Sequence, residues 1–199
     1  MAILQQIKFL TSAATLKQLP EDSGCEIAFM GRSNSGKSST INALTNIKRL
    51  AYTSKTPGRT QLLNFFQVDG NSAMRLVDLP GYGYAKASLN IKKSWQKVLS
   101  EYLQSRQSLC GIVLITDIRR GITAGDENVI KWCQDSGMPL HILCNKVDKL
   151  SYSQAKRAMQ DIRNTLPATI TCTMQTFSAL RKTGVDDAKI TIHNWLQGN

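Results

Sequence analysis

Eight consecutive residues, Gly31-Arg32-Ser33-Asn34-Ser35-Gly36-Lys37-Ser38, have the types and spacing of a phosphate-binding loop. They match G-x-x-x-x-G-K-[ST] in full, directly after an apolar run and at the start of a helical pattern. Glycines let the backbone curl until successive N–H groups face phosphate oxygens, and the helix N-terminus adds favourable potential. Lys37 would reach the β- and γ-phosphates, and the Ser38 hydroxyl would ligate Mg²⁺. Arg32 and Ser33 read as solvated loop residues rather than catalytic ones.

Two further clusters bear on which nucleotide sits there. Asp78-Leu79-Pro80-Gly81 ends an apolar run, where the aspartate can hold Mg²⁺ through a water and the Gly81 N–H can meet a γ-phosphate. Asn145-Lys146-Val147-Asp148 has the logic of base recognition. A carboxylate at Asp148 can accept parallel bonds from the N1 and exocyclic amine of guanine, a donor pair that adenine lacks. Such a site rejects the analogue without those donors. Asn145 would tie loops together and contact the base, while the Lys146 stem lies on its face. Phe177-Ser178-Ala179 supplies a backbone N–H for the guanine O6.

The stretch Asn46 to Gln61 has no apolar period and contains Pro57 and Gly58, so it reads as a loop. Thr56 and Thr60 are both candidates for the hydroxyl that completes the Mg²⁺ shell when a γ-phosphate is present. A loop held by one such contact orders with GTP and relaxes after hydrolysis. Position 82, directly after Asp78–Gly81, is a tyrosine. Ras-like proteins carry there the glutamine that orients attacking water, so turnover by this chain should be slow or should need a partner.

Positioning these groups requires alternating strands and helices. Strands are expected at Glu26–Met30, Leu62–Val68, Ala73–Val77, Gly111–Ile115, Leu140–Cys144 and Thr169–Thr176. Asp69-Gly70-Asn71 marks a hairpin between the second and third of them. Helices are expected at Gly36–Leu44, Ile91–Leu103 and Asp126–Gln134, along the stripe Ala155, Met159, Ile162 and Leu166, and from Val185 to Trp195. The pattern is an α/β fold in three layers. It has a mostly parallel sheet of about six strands, one antiparallel hairpin strand and helices on both faces.

The 199 residues suit one domain, 1–199, with residues 1–23 as a short N-terminal extension. At 42% hydrophobic and 20% charged, the composition is that of an ordinary globular protein, with no apolar stretch near the ~18 residues of a membrane span. No secretory signal is visible, so a cytoplasmic location is expected, with the five scattered cysteines reduced. The net charge of +11 favours polyanionic partners. Between Asn46 and Ser100 nine basic residues face two acidic ones, so +7 is concentrated around two candidate switch loops, the first Asn46–Gln61 and the second the glycine-rich Leu79–Leu89. RNA contact through that face is the corresponding expectation.

The order of Gly31–Ser38, Thr60, Asp78–Gly81, Asn145–Asp148 and Ser178–Ala179 resembles the five nucleotide motifs of the translation-factor-related P-loop GTPases. More narrowly, three stretches resemble the EngB family of bacterial ribosome-biogenesis GTPases. They are Gly31–Ser39, Lys55-Thr56-Pro57-Gly58-Arg59-Thr60-Gln61 followed by Leu63-Asn64-Phe65, and Asp78-Leu79-Pro80-Gly81-Tyr82-Gly83-Tyr84-Ala85. Phe9–Ala13 and Leu19-Pro20 also fit, so the likeness covers nearly the whole chain. The resemblance implies the P-loop GTPase fold, GTP and GDP binding, slow hydrolysis, Mg²⁺, and a role in assembling the large ribosomal subunit. It also implies a link to normal cell division and septation. A monomer that meets ribosomal RNA through its basic face is the further expectation. It singles out Thr60 over Thr56, and adds Gly58, Arg59, Gln61 and Leu62 to the nucleotide site. In related GTPases the phosphate-loop asparagine, here Asn34, helps to hold a K⁺ ion.

Two other readings compete. A GTP-dependent assembly factor with negligible hydrolysis would explain Tyr82. A P-loop phosphotransferase for a small molecule would leave Asn145–Asp148 without purpose.

Overall fold

The computed structural model describes Leu4 and residues 6–51, 62–83 and 98–198. Seven strands form one sheet: β1 (Ile7–Ala13), β2 (Cys25–Gly31), β3 (Leu63–Val68), β4 (Asn71–Asp78), β5 (Leu109–Asp117), β6 (Leu140–Asn145) and β7 (Cys172–Thr176). Their spatial order is β1-β3-β4-β2-β5-β6-β7. Only β3 runs against its neighbours, pairing antiparallel with β1 and with β4. The seventh strand, beyond the expected six, is β1, which lies within the segment read as an extension. Its register runs from Ile7 opposite Val68 to Ala13 opposite Leu63. Polar positions alternate irregularly along β1, which is why the sequence pattern did not declare a strand there.

The β3–β4 hairpin turns at Asp69 and Gly70, both at positive φ (51° and 73°), as a two-residue turn of primed type requires. Helices follow the expected periods with small shifts at their ends: α1 (Lys37–Thr45), α2 (98–105), α3 (Ala124–Ser136), α4 (Tyr152–Thr165) and α5 (Val185–Leu196). The first part of the helix expected at Ile91–Leu103 lies outside the described residues.

Strand pleating sends alternate side chains to opposite faces and so builds two cores. Ile27, Phe29, Val113, Ile115 and Leu143 meet Ile41, Leu44, Ala188 and Ile192 of α1 and α5. Ala28, Met30, Ile112, Leu114 and Ile142 meet Tyr102, Val129, Ile130 and Ile162 of α2, α3 and α4. From β2 the chain first builds the sheet toward β4 and β3, then returns to add β5, β6 and β7 on the other side. This reversal opens a crevice at the carboxyl end of β2, where α/β sheets bind ligands.

The cysteines are not all scattered in space. Cys25 and Cys110 stand side by side, with Cα atoms 5.6 Å apart. Their 85-residue separation hid this, but β2 and β5 are neighbours. Glu26 pairs with Leu109 and Ile27 with Gly111, so Cys110 is the additional residue at a register shift, beside Cys25. Cys133, Cys144 and Cys172 are free thiols. No helix among the described residues is long and apolar enough to cross a membrane.

Candidate nucleotide site

The phosphate loop spans the gap between β2 and α1, with Gly31 ending the strand and Lys37 opening the helix. Gly36 caps α1 at φ 101°, a conformation that disfavours any other residue, and a Cβ there would lie 2.2 Å from Asn145 Nδ2. Asn34 is also in the left-handed region, at φ 67°. Lys37 is ion-paired with Asp78 across the mouth of the loop, and both side chains are largely enclosed.

Asp78 reaches this point because β4 lies parallel to β2, with Asp78 opposite Phe29. Leu79 and Pro80 are buried, and Leu79 N–H donates to the Phe29 carbonyl at 3.2 Å. Gly81 lies against the loop, where an added Cβ would stand 3.2 Å from Gly31 O and 3.3 Å from Ser33 N. Tyr82 continues the contact: its N–H donates to Gly31 O at 3.3 Å and its carbonyl accepts from Ser33 N–H at 2.8 Å. Its phenol reaches α3 and donates to Asp126.

The guanine motif ends β6, the next strand but one from β2. Asn145 is 2% exposed. Its Nδ2 donates to Ser35 O at 2.9 Å, while its Oδ1 accepts from Lys146 N–H at 2.8 Å and, at the outer limit, from Ala179 N–H at 3.4 Å. One side chain therefore joins the phosphate loop, the guanine motif and the last strand's loop. Lys146 donates through Nζ to Asn34 O at 2.6 Å and pairs with Asp117 at 3.0 Å. Asp117 escaped the sequence reading, since a single aspartate at a strand end carries no periodic or motif signal. Arg119 also grips it, and these donors outweigh the largest single influence, burial, to hold its carboxyl far below the usual range.

Asp148 accepts from the Ser178 hydroxyl at 2.6 Å and pairs with Lys149 at 3.5 Å. The Ser178 bond, first among several influences, lowers its carboxyl from the ordinary value and keeps it an anionic acceptor. Ser178 is held in turn: its hydroxyl accepts from Arg181 N–H at 3.0 Å. Phe177 is buried, its N–H donating to Cys144 O and its carbonyl accepting from Val147 N–H. Thus Gly31–Ser38, Asp78–Gly81, Asn145–Asp148 and Phe177–Ala179 line one end of the sheet. Leu62 is half-buried just before β3. Gly58, Arg59, Thr60 and Gln61, with Thr56, lie outside the described residues.

The chemistry of the donor set suits Mg²⁺, a hard cation that takes one or two protein oxygens with phosphates and water. The Asp78 carboxylate, paired with Lys37, and the hydroxyl of Ser38, the residue after Lys37 in α1, are oxygen donors of that kind.

Comparison with known proteins agrees with this geometry. The family described as 50S ribosome-binding GTPase matches residues 26–146. A protein of Coxiella burnetii named "Probable GTP-binding protein EngB" is 47% identical over 194 residues, spanning 97% of this chain and 94% of the relative. A solved structure of a probable GTP-binding protein engB superposes with TM-score 0.67 at 19% identity, over 88% of this chain and all of the other. An Era variant from Aquifex aeolicus, bound to GDP and aluminium fluoride, gives TM-score 0.68 at 21% identity, over 87% and 57% of the two chains. The chain belongs to the EngB family of GTP-binding proteins, within the P-loop GTPases.

Proposed function

We propose that this GTPase is a slow molecular switch that acts in assembly of the large ribosomal subunit and, through it, supports normal cell division. The observation carrying the reading is the Asn145–Ser35 hydrogen bond, which makes the base clamp and the phosphate cradle one unit. In this reading Lys37 and the backbone of residues 31–38 grip the triphosphate, and Asp148 accepts from the guanine edge. Ala179 N–H serves O6, and Lys146 covers the base. Ser38, Thr60 and, through water, Asp78 would hold Mg²⁺, which when bound would offset charge on the β- and γ-phosphate oxygens. Lys37 leaves its pair with Asp78 to take phosphate.

The +7 concentrated between Asn46 and Ser100 supports contact with ribosomal RNA near the switches. A cytoplasmic monomer of one G domain is the form proposed. Asn34 is proposed as a K⁺ ligand during hydrolysis; rates indifferent to exchanging Na⁺ for K⁺ would reject it.

The phenol of Tyr82, engaged with Asp126, favours a second reading, in which hydrolysis is negligible and GTP acts as a binding ligand. Phosphate release measured with and without large subunits separates the two. Stimulation by the subunit supports the switch, and none at all supports the ligand role. Equal affinity for ribosomal particles in GTP and GDP would defeat the coupling itself.

A further inference from the structure

Tyr82 is held at both its ends. Its main chain is clamped to Gly31 and Ser33 of the phosphate loop, and its phenol hydroxyl donates to Asp126 Oδ1 in the first turn of α3. Asp126 is 1% exposed, and its other oxygen, Oδ2, accepts from Thr123 N–H at 2.8 Å and from Thr123 Oγ1 at 2.6 Å. The carboxylate is thus oriented by the helix cap before Tyr82 reaches it. The neighbouring Gly125 makes room for the ring: a Cβ there would lie 2.6 Å from Tyr82 Cδ2 and 2.7 Å from Cε2. Glycine in a helix costs about 1 kcal/mol relative to alanine, so the empty position needs a reason, and the ring supplies it.

We propose that Gly125 and Asp126 are positioning residues for GTP hydrolysis: by holding Tyr82 against α3 they set where the Gly81 amide stands beside the phosphate loop. Gly81 precedes Tyr82, and a Cβ added to it would stand 3.2 Å from Gly31 O and 3.3 Å from Ser33 N, so it has little room to move while Tyr82 is fixed. The phenol remains a donor throughout the working range, because burial, reinforced by the Asp126 charge, pushes its titration far above that of a free tyrosine. Tyr82 replaces a side chain that would orient water with one that orients backbone, and α3 becomes part of the second switch.

The inference rests on the reading of the chain as a hydrolysing GTPase with Gly81 at the γ-phosphate. Its test is single-turnover hydrolysis with parallel measurement of GDP affinity, in the full chain. Tyr82→Phe keeps the ring and removes the bond; Gly125→Ala keeps the bond's partners and displaces the ring. Each should lower kcat about tenfold, consistent with the sensitivity of bound reactions to small misplacements, while GDP affinity stays within about twofold. Asp126→Asn retains an acceptor oxygen and should recover most of the rate. Unchanged kcat in Tyr82→Phe overturns the inference, as does a loss of GDP affinity that matches the loss of rate. Should Gly125→Ala not fold, Tyr82→Phe decides alone. A native chain that turns over no GTP refutes the underlying reading instead.

Discussion

Asn145 and Ser35 are 110 residues apart in sequence, yet the side-chain amide of one donates to the carbonyl of the other at 2.9 Å, both residues being buried. This contact ties the loop that begins at Asn145 to the phosphate loop. Replacing Asn145 by Ala leaves Ser35 O and the Lys146 amide without their partner. Losing such a buried bond costs roughly 1–3 kcal/mol, so affinity for GDP and GTP should fall together by about 10- to 100-fold. Isothermal titration would check this; a loss confined to GTP would place the role elsewhere.

Asp148 should decide the purine. Asp148→Asn exchanges an acceptor oxygen for a donor, which opposes the guanine amine and suits the 2-oxo group of xanthine. Guanine affinity should drop by at least about 10²-fold and xanthosine diphosphate should become the better ligand. Competition between GDP, XDP and ADP reads this directly, and retention of guanine preference would refute the assignment.

Lys37 and Asp78 form an enclosed pair whose side chains are 12% and 7% exposed. Lys37→Ala leaves the Asp78 charge without its ammonium partner and should destabilise the fold by about 2–4 kcal/mol. Mg²⁺ would then find an available carboxylate, so millimolar Mg²⁺ should raise the melting temperature of this variant more than that of the native chain. An equal response in both proteins would argue against Asp78 as part of the metal site.

Glu26, in β2, is fully buried and accepts from Arg75 Nε at 2.7 Å, from Arg106 at 2.6 and 3.0 Å, and from Tyr102 at 2.8 Å. Arg106 also donates to the carbonyls of Pro20 and Glu21, tying the segment after β1 to the end of α2. Glu26→Ala removes the carboxylate that two buried guanidinium groups share and should cost about 3–5 kcal/mol of stability. Because the cluster lies at the opposite end of β2 from the phosphate loop, GDP affinity of the folded fraction should be unchanged. Denaturant unfolding and GDP titration together test both halves.

His141 is buried against Trp195, with Nδ1 2.7 Å from Thr173 Oγ1 and Nε2 3.1 Å from Gln175 Oε1. Burial outweighs these partners and lowers its titration below that of free histidine. The unfolded chain then binds the extra proton first, so stability is full above about pH 6.5 and declines as pH falls below it, by at most ~1.4 kcal/mol per unit. The decline ceases below the folded-state value. His141→Gln should flatten that part of the melting-temperature profile; a slope identical to the native chain would reject His141 as its source.

Much of this was legible in one dimension, and for a physical reason. Phosphate binding needs consecutive backbone amides, so its motif is contiguous and Gly31–Ser38 announces itself. Asp78 ends β4 and Asp148 follows the end of β6 by three residues, where apolar runs stop and polar residues begin, and the strand periods locate them. Seven strands were read as six because β1 owes its place to β3 rather than to its own pattern.

What only tertiary structure decided are relationships between residues distant in the chain. The order of strands put Cys110 beside Cys25, Asp117 within reach of Lys146, and the first turn of α3 under Tyr82. Residue type told that Tyr82 could not serve as a glutamine amide. Where its phenol went depended on a capped helix 44 residues later, whose glycine leaves space for the ring. Local chemistry is written in short spacings, whereas the pairing of side chains depends on which strands the sheet makes neighbours, and no single segment contains that information.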